Sequence, residues 1–387
     1  MTFLGDEGRD VLVVYHILHG DLTLLGPTAS VGGFFLGPIY YYFMTPFLWL
    51  FNYNPVGPAV MVAIFGVLTV YLVYKAGQMF FNKTTGIIAA IFYSISPLVI
   101  AYSRSSWNPN LMPFFSLLTL VVLHIALRKD KSWLIVLSGL LLGVTMQLHY
   151  LATFLSVIMF SYVLLFEIFK NSKGFSSAFL IKLFKNYFFL FLGFLVGLSP
   201  FLVFEVRHNF QNIQSIFNFI LSSKDTGLSA KIYKIIYDVF FRLFARLLTN
   251  FPPPEQVSLK ASINILFWYL GSLMLGVISI LVFLIKFAIL YKKKEKEEDQ
   301  FFKYLLIFLW LILGVGLFGF YKKNIYDYYF GFMFPLPFLL SGNALSFFIS
   351  KNRLLKAFAI CILLFLIALN LNGIPFRYPP NRQLKQA

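Results

Sequence analysis

The chain opens with a cluster of carboxylates. The hexapeptide Gly-Asp-Glu-Gly-Arg-Asp occupies positions 5–10, and Asp6 and Asp10 are four residues apart. On a helix they would share one face, with Glu7 and Arg9 beside them. A carboxylate in such a cluster could take up a proton during catalysis. The same residues are also typical of a helix N-terminus, where Asp6 would act as the cap and the other acids would interact favourably with the helix dipole. The spacing alone leaves both interpretations open.

Four more polar clusters follow at the ends of apolar segments. Arginine provides a planar, permanently charged donor that suits phosphate. Each cluster also has a structural explanation, since asparagines around a proline are typical of turns, a lone histidine often packs, and lysines at a span end can be membrane anchors. The clusters and their candidates are Tyr102–Asn110 with Arg104, Asn108 and Asn110; Gln147–Tyr150 with His149; Phe204–Phe210 with Glu205, Arg207 and His208; and Tyr321–Tyr329 with Lys322 and Lys323.

The composition places these clusters in a membrane protein. Of the 387 residues, 59% are hydrophobic and 12% are charged, whereas soluble domains carry about 45–50% apolar and about 25% charged residues. The formal net charge is +17, but the basic residues form small groups between long apolar runs. This distribution argues against nucleic-acid binding and for a multispan membrane protein. The single cysteine, Cys361, excludes disulfides within the chain and cysteine-ligated metals.

About ten transmembrane helices are predicted, because a helix needs about 20 largely apolar residues to cross a bilayer. The expected fold class is therefore an all-α integral membrane protein. The predicted spans are Pro58–Ala76, Thr84–Ser103, Leu111–Leu127, Trp133–Leu148, Leu151–Phe169, Tyr187–Val206, Ile263–Leu290, Tyr304–Phe320, Tyr329–Ile349 and Leu354–Asn370.

The loops predict the orientation of the chain in the cell membrane. Connections on one side of the membrane contain 18 lysines and arginines, and the short connections on the other side contain five. The positive-inside rule places the richer side in the cytoplasm. The five polar clusters then all lie on the outer side, so the active face is expected outside the cytoplasm.

Two outer segments are predicted to lie along the membrane surface. Leu36–Phe51 is apolar, but Pro46 interrupts it, and its tyrosines and Trp49 suit the headgroup region; a true crossing is the alternative. Lys231–Asn250 has a basic amphipathic pattern, which is equally consistent with a solvated helix that closes the outer loop. Met1 already lies on the outer side without a signal peptide or preceding span, so an upstream helix is expected to be missing from this sequence.

These features divide the chain into four parts. Residues 1–57 form an outer loop with the acidic motif and an interfacial helix, and residues 58–206 form a first transmembrane bundle. Residues 207–262 form a long outer loop with an amphipathic helix, and residues 263–387 hold the C-terminal transmembrane helices and a tail.

Five motifs occur in a recognisable order along the chain. They are Asp-Glu at 6–7, Gly-Pro-Ile-Tyr-Tyr-Tyr at 37–42, Ser-Arg-x-x-Trp-Asn-Pro-Asn at 103–110, Gln-Leu-His-Tyr at 147–150 and Phe-Glu-x-Arg-His-x-Phe at 204–210. In this order they resemble the family 39-type glycosyltransferases of the GT-C fold, relatives of the protein O-mannosyltransferases and the aminoarabinose-lipid A transferases. The resemblance covers Thr2–Phe210 and implies a GT-C-like helix bundle; beyond that it rests on the number of spans and a final helix with Pro335 and Pro337.

The resemblance also implies an activity. A sugar would pass, with inversion, from a polyprenyl-phosphate donor in the bilayer to a hydroxyl of a lipid, glycan or protein acceptor. Asp6 would be the general base, Glu7 would orient the acceptor or the sugar, and Asp10 would be a lesser candidate. No cofactor is implied with certainty and a divalent metal is left open, because many relatives have an acid where this chain has Asn108 or Asn110. The residues expected to bind the lipid phosphate or other parts of the substrates are Asp10, Arg104, Asn108, Asn110, His149, Arg207, His208, Lys322 and Lys323.

A lipid-linked glycan transporter or flippase is the main competing interpretation. Transporters usually place ionisable residues near the middle of the membrane, whereas the charged residues here fall in loops or near the ends of spans. A lipid scramblase would escape this argument. The sequence is also compatible with a non-catalytic membrane subunit and with a ligase that transfers whole glycans.

Overall fold

The computed structural model describes seven stretches of the chain, and within them the regular secondary structure is helical apart from two isolated β-bridges. The described stretches are residues 5–171, 176–221, 226–227, 232–253, 256–259, 262–322 and 324–374. The helices are α1 (Gly5–Leu18), α2 (Ile39–Leu50), α3 (Val56–Phe80), α4 (Lys83–Ile95), α5 (Pro97–Tyr102), α6 (Met112–Lys129), α7 (Ser132–Leu148), α8 (Thr153–Lys170), α9 (Ser177–Gly197), α10 (Ser199–Arg207), α11 (Gln211–Leu221), α12 (Ile232–Phe241), α13 (Leu247–Thr249), α14 (Ile263–Lys292), α15 (Glu298–Gly316), α16 (Pro335–Ile349) and α17 (Arg353–Gly373). A π-helical turn covers Arg242–Arg246, and 3-10 turns cover Asn108–Leu111, Tyr150–Ala152, Leu317–Phe320 and Asp327–Met333.

The predicted all-α membrane fold is confirmed. Seven helical segments of the described chain are long and apolar enough to cross a membrane, and an eighth results if the bent pair formed by Asp327–Met333 and α16, 62° apart, is taken as one span. The helices α4 and α7 are apolar but shorter. All ten predicted spans therefore correspond to helices, although only seven or eight of them meet the length requirement.

The span predicted at Tyr187–Val206 has different boundaries. The helix α9 begins at Ser177, where Ser176 caps it by accepting a hydrogen bond from the backbone N–H of Phe179. It ends at Gly197, and α10 starts anew with Pro200 in its first turn. The prediction begins ten residues too late because Lys182 and Lys185 are typical of a loop. Lys182 instead lies within α9 and forms an ion pair with Asp130.

The predicted amphipathic helix Lys231–Asn250 is only partly a surface helix. Lys231 lies outside the described residues, and α12 begins at the next position. From Arg242 onward the chain is buried, with Leu243 and Phe244 each 1% exposed. The prediction for this half was wrong because the two arginines are paired with a carboxylate, Asp327, that lies far away in the sequence.

The predicted interfacial segment forms α2, a helix of 12 residues. At about 1.5 Å per residue, this helix is too short for the roughly 30 Å hydrocarbon core of a bilayer. Tyr40, Tyr41 and Met44 are buried against the bundle, whereas Trp49 is exposed. The alternative of a membrane crossing therefore does not fit the length of this helix.

Glycines bring α7 and α9 into direct backbone contact. A side-chain carbon at Gly193 would overlap the carbonyl oxygen of Val136, and one at Gly143 would lie 2.7 Å from the carbonyl oxygen of Phe194. Small residues at membrane helix interfaces permit such close approach. At the C-terminal end of α7, Gln147 donates a hydrogen bond of 2.6 Å to the carbonyl oxygen of Gly197. This contact fixes the end of α7, where the candidate site begins.

Candidate active site

The acidic motif forms the first turns of α1, which packs on α2. Arg9 joins two of its carboxylates, since Nη1 donates to Asp6 Oδ1 at 3.2 Å and both Nε and Nη2 donate to Asp10 Oδ1, at 3.0 and 2.8 Å. The prediction that Asp6 and Asp10 share a helix face is therefore correct. The side chain of Asp6 is 59% exposed, whereas that of Asp10 is fully buried.

Glu7 and Asp10 face the protein interior. Glu7 is 3% exposed and accepts a hydrogen bond of 2.6 Å from Ser105, which connects α1 to the loop after α5. Asp10 accepts a hydrogen bond from the Tyr41 hydroxyl at 3.2 Å, and its second oxygen has no partner among the described residues. Burial raises the pKa of Asp10, although Arg9 opposes this shift. Of the three acids, Asp6 is the one placed to meet a ligand.

Asp6 lines a polar pocket of about 190 Å³. The pocket collects side chains from five separate parts of the chain, and three predicted site residues, Asp6, Asn108 and His149, are among them. We call this cavity the polar pocket. Its remaining lining residues are Arg9, Pro27, Thr28, Ala29, Ser30, Leu36, Trp107, Pro109, Tyr150 and Tyr328.

The two asparagines that flank Pro109 each donate a hydrogen bond to a backbone carbonyl oxygen. Asn108 donates to that of Leu148 at 2.5 Å, and Asn110 donates to that of Ser105 at 2.9 Å. Asn108 lines the polar pocket, whereas Asn110 lines a neighbouring small cavity instead. The local bond of Asn110 fits the turn interpretation, whereas the bond of Asn108 joins its loop to the end of α7.

His149 is a neutral hydrogen-bond donor in this pocket. The backbone N–H of Leu151 donates to its Nδ1 at 3.2 Å, so the ring proton belongs on Nε2. Burial lowers the pKa of His149 to about 3, because the charged form loses its hydration. The ring is stacked on Tyr150, with centroids 4.5 Å apart. A neutral N–H aimed from a fixed ring can orient a bound group without changing charge.

This environment predicts that His149 stays uncharged between about pH 5 and 8, where an ordinary histidine titrates. Nitrogen NMR of protein labelled at its five histidines should include an imidazole signal from His149 without a titration step in that range. The corresponding signal should disappear in His149→Gln. A signal lost in that variant that titrates near pH 6.5 would contradict this environment.

Among the residues that the structure describes, the other predicted cations do not line the polar pocket. Arg207 and His208 are exposed at the end of α10, where the His208 ring is stacked on Phe204. Arg104 is half-buried in the loop after α5. Lys322 Nζ would lie 3.4 Å from a side-chain carbon at Gly227. Lys323 lies outside the described residues.

An apolar cavity adjoins the polar pocket and was not predicted from the sequence. It has a volume of about 440 Å³ and shares Leu36 and Tyr150 with the polar pocket. A second apolar cavity of about 580 Å³ shares Met146 with it and lies between α7, α8 and α9. We call the two together the apolar groove. Its other wall residues include Phe34, Phe154, Phe201, Phe219 and Tyr321 near the pocket and Leu142, Ser156, Phe160, Leu190 and Phe191 farther away.

A row of hydroxyl groups marks the boundary between the pocket and the groove. The Tyr150 hydroxyl lies 3.3 Å from that of Tyr321, which in turn lies 3.5 Å from that of Tyr329. The Tyr329 hydroxyl is 3.4 Å from Ser30 Oγ. Polar groups therefore stand where a molecule with a long apolar tail and a polar head would change from one environment to the other.

The described residues contain no group of three or more histidine, cysteine, aspartate or glutamate side chains able to hold a metal ion. The carboxylates of the acidic motif are bonded instead to Arg9, Ser105 and Tyr41. The arrangement thus suits acid–base and hydrogen-bond chemistry.

The fold and the site define a polytopic membrane protein with a polar pocket at the end of an apolar groove. Residues 36–204 match the family model of dolichyl-phosphate-mannose-protein mannosyltransferases. No curated protein matches the sequence significantly.

Solved structures confirm the resemblance to GT-C glycosyltransferases. The Archaeoglobus fulgidus oligosaccharyltransferase AglB, in complex with an inhibitory peptide and a dolichol-phosphate, has 16% identity and a TM-score of 0.56 over 97% of this chain and 52% of that chain. ArnT from Cupriavidus metallidurans has 11% identity in the apo state, with a TM-score of 0.56 over 95% of this chain and 70% of that chain. ArnT bound to undecaprenyl phosphate has 12% identity and a TM-score of 0.53 over 95% of this chain and 74% of that chain. The chain spans about half the length of the oligosaccharyltransferase and has the GT-C fold of membrane glycosyltransferases.

Proposed function

We propose that the protein is a membrane glycosyltransferase that moves a sugar from a polyprenyl-phosphate donor to an acceptor hydroxyl, with inversion at the anomeric carbon. The observation that carries this proposal is the position of Asp6, an accessible carboxylate in a polar pocket that adjoins an apolar groove. A lipid-linked sugar has the matching division into a polar head and an apolar tail.

In the proposed reaction Asp6 takes the proton of the acceptor hydroxyl. The acceptor oxygen then forms a bond to the anomeric carbon while the bond from that carbon to the phosphate oxygen breaks. The lipid phosphate leaves with the electron pair as an anion. Glu7 accepts a hydrogen bond from Ser105 and thereby holds the loop that contributes Trp107 and Asn108 to the pocket wall.

The departing phosphate is proposed to lie at the boundary between pocket and groove. Tyr150 lines both cavities, and His149 can donate from Nε2 into the pocket. Arg9 supplies a fixed positive charge in the pocket, and Lys322 lies beside Gly227, which lines the groove. Charge-assisted hydrogen bonds of this kind favour the departing lipid phosphate, which gains negative charge as the bond to the sugar breaks, over the singly charged donor. Arg104 and Arg207 would act on a phosphate only if the outer loops close further.

The apolar groove is proposed to hold the polyprenyl tail. ArnT has been solved with undecaprenyl phosphate and AglB with a dolichol-phosphate, and the groove of this chain has apolar walls along its length. Because the tail passes from one apolar environment, the bilayer, to another, van der Waals packing against the groove walls would provide its contribution to donor affinity.

Binding of undecaprenyl phosphate in lipid nanodiscs tests this part of the proposal. Ser156→Trp fills the groove wall and should weaken binding by about tenfold or more, which equals about 1.4 kcal/mol. Ser94→Trp is the matched control, because both serines lie in a helix and donate to the carbonyl oxygen three residues earlier, and Ser94 is not among the groove residues. Equal affinity in both variants would show that the tail does not bind in this groove. Mass spectrometry of lipid-linked sugars that accumulate in a deletion strain would then identify the donor.

The active face is proposed to lie outside the cytoplasm, on the basis of the basic residues in alternate loops. A cysteine introduced at Gly8, beside Asp6, should react with a membrane-impermeant maleimide in intact cells. The native Cys361 is exposed, so the experiment is done in a Cys361→Ser background. Labelling only after the cells are permeabilised would indicate the opposite topology, with Gly8 in the cytoplasm.

A further inference from the structure

Two buried arginines converge on one carboxylate outside the polar pocket. Arg242 Nη1 lies 3.0 Å from Asp327 Oδ1, and Arg246 Nη2 lies 2.5 Å from Asp327 Oδ2. The exposed fractions of the three side chains are 9%, 10% and 12%. Arg242 also pairs with Asp238 at 2.9 Å. We call these four residues the Asp327 cluster.

The local backbone is shaped to present the two arginines together. Arg242–Arg246 form a π-helical turn, in which the N–H of Leu247 bonds to the carbonyl oxygen of Arg242. Such turns are rare and occur frequently at functional sites. Arg246 binds Asp327 through two nitrogens, and its Nη1 donates to the carbonyl oxygen of Phe251 at 3.1 Å. The arginine fork therefore fixes both the position and the direction of the Asp327 carboxylate.

Asp327 begins the segment that forms one wall of the polar pocket. The next residue, Tyr328, lines the pocket and packs on Trp107 with ring centroids 4.4 Å apart. Its ring also lies 5.8 Å from that of His149. A shift of Asp327 would consequently move an aromatic wall that touches two other lining residues.

Stability alone does not account for this cluster. Buried ion pairs lose hydration, so they are often no more stabilising than apolar residues of the same volume. What a two-point arginine–carboxylate contact provides is a defined geometry. Tyr329 lies two residues after Asp327 and its hydroxyl contacts Ser30, so the position of the Asp327 carboxylate also affects the row of hydroxyl groups.

We propose that the Asp327 cluster is a positioning device through which the long outer loop sets the place of Tyr328 in the polar pocket. Arg246 is its main positioning residue, and it acts through Asp327 on Tyr328. This inference rests on the proposed function for its effect on sugar transfer. The placement of Tyr328 against Trp107 can be measured without any substrate.

The experiment compares Arg246→Lys, which keeps the charge but loses the two-point contact, with Arg128→Lys. Arg128 is the matched control because it is likewise an ion-paired arginine, with Glu298 and Asp299 at 2.7 and 3.0 Å, and it does not line the polar pocket. The Trp107 contribution to fluorescence is obtained as the difference from the same protein with Trp107→Phe. Arg246→Lys should change the emission and the acrylamide quenching of Trp107, and Arg128→Lys should not.

Sugar transfer from the donor provides the second readout. Arg246→Lys should lower kcat by about 10- to 100-fold, since small displacements at an active site have effects of that size. Combined with Tyr328→Ala it should add little to the loss caused by Tyr328→Ala alone, because both changes act through one residue. Should Arg246→Lys fail to accumulate, Asp327→Asn is tested in its place, since it keeps the size of the side chain but removes the charge that Arg246 holds at two points, and it should change the Trp107 signal in the same way.

An unchanged Trp107 signal, or fully additive losses in the double variant, would overturn the positioning role. Failure of the wild-type protein to transfer sugar would instead contradict the proposed function. The Trp107 measurement would still decide whether the cluster places Tyr328.

Discussion

Replacing Asp6 by asparagine should lower the rate of sugar transfer by about 10²–10⁴-fold, the usual contribution of a general base. Asparagine has the size of aspartate and can still accept a hydrogen bond from Arg9, so the fold should survive. Binding of undecaprenyl phosphate should also persist, since the proposed site of the tail is the apolar groove and not Asp6. The measurement is the transfer rate at saturating donor, with donor binding determined on the same preparation.

The two neighbouring acids supply the controls for this experiment. Glu7→Gln should reduce transfer less, because Glu7 is buried and acts through its bond to Ser105. Asp10→Asn should have the smallest effect, since Asp10 has no exposed surface and does not line the polar pocket. If Asp6→Asn transfers sugar at the wild-type rate, the base is elsewhere and Glu7 becomes the first candidate.

The features that the sequence predicted well are local ones. Hydropathy located a helix for each of the ten spans, because a membrane helix satisfies its own backbone hydrogen bonds and is recognisable without its neighbours. The four-residue spacing of Asp6 and Asp10 was enough to place them on one face. His149 was identified from its position at the end of a predicted span.

The features that the sequence did not predict depend on distant partners. Charged residues near span ends were expected to converge, but a shared membrane face does not fix lateral distance, and Arg207 stays outside the polar pocket. Arg242 and Arg246 have the spacing of the polar side of a surface helix, yet Asp327 supplies them with a buried partner. The apolar groove is formed by several separate elements, and no single stretch of sequence indicates a cavity between them.

The close packing of α7 on α9 leads to the second large effect. A side-chain carbon at Gly193 would overlap the carbonyl oxygen of Val136 and approach the N–H of Leu140 to 2.9 Å. These neighbours are backbone atoms and cannot turn aside as a flexible side chain can. The helices must therefore separate, which also disturbs Gln147 and the end of α7 beside the site.

Gly193→Ala should accordingly destabilise the protein by about 1–3 kcal/mol, the usual cost of overpacking, and Gly193→Leu should abolish recovery of folded protein. Gly271 is the matched control, because it lies in the membrane helix α14 and a side-chain carbon there meets no atom within 4 Å. Gly271→Ala should leave stability unchanged or raise it slightly, since alanine favours a helix by about 0.5–1 kcal/mol over glycine. The unfolding temperature in detergent should therefore be lower for Gly193→Ala and unchanged or slightly higher for Gly271→Ala. Size-exclusion chromatography measures how much folded protein each variant yields. A Gly193→Ala protein as stable as Gly271→Ala would mean that α7 and α9 do not contact each other through their backbones. The wall of the apolar groove that these two helices form would then be incorrect.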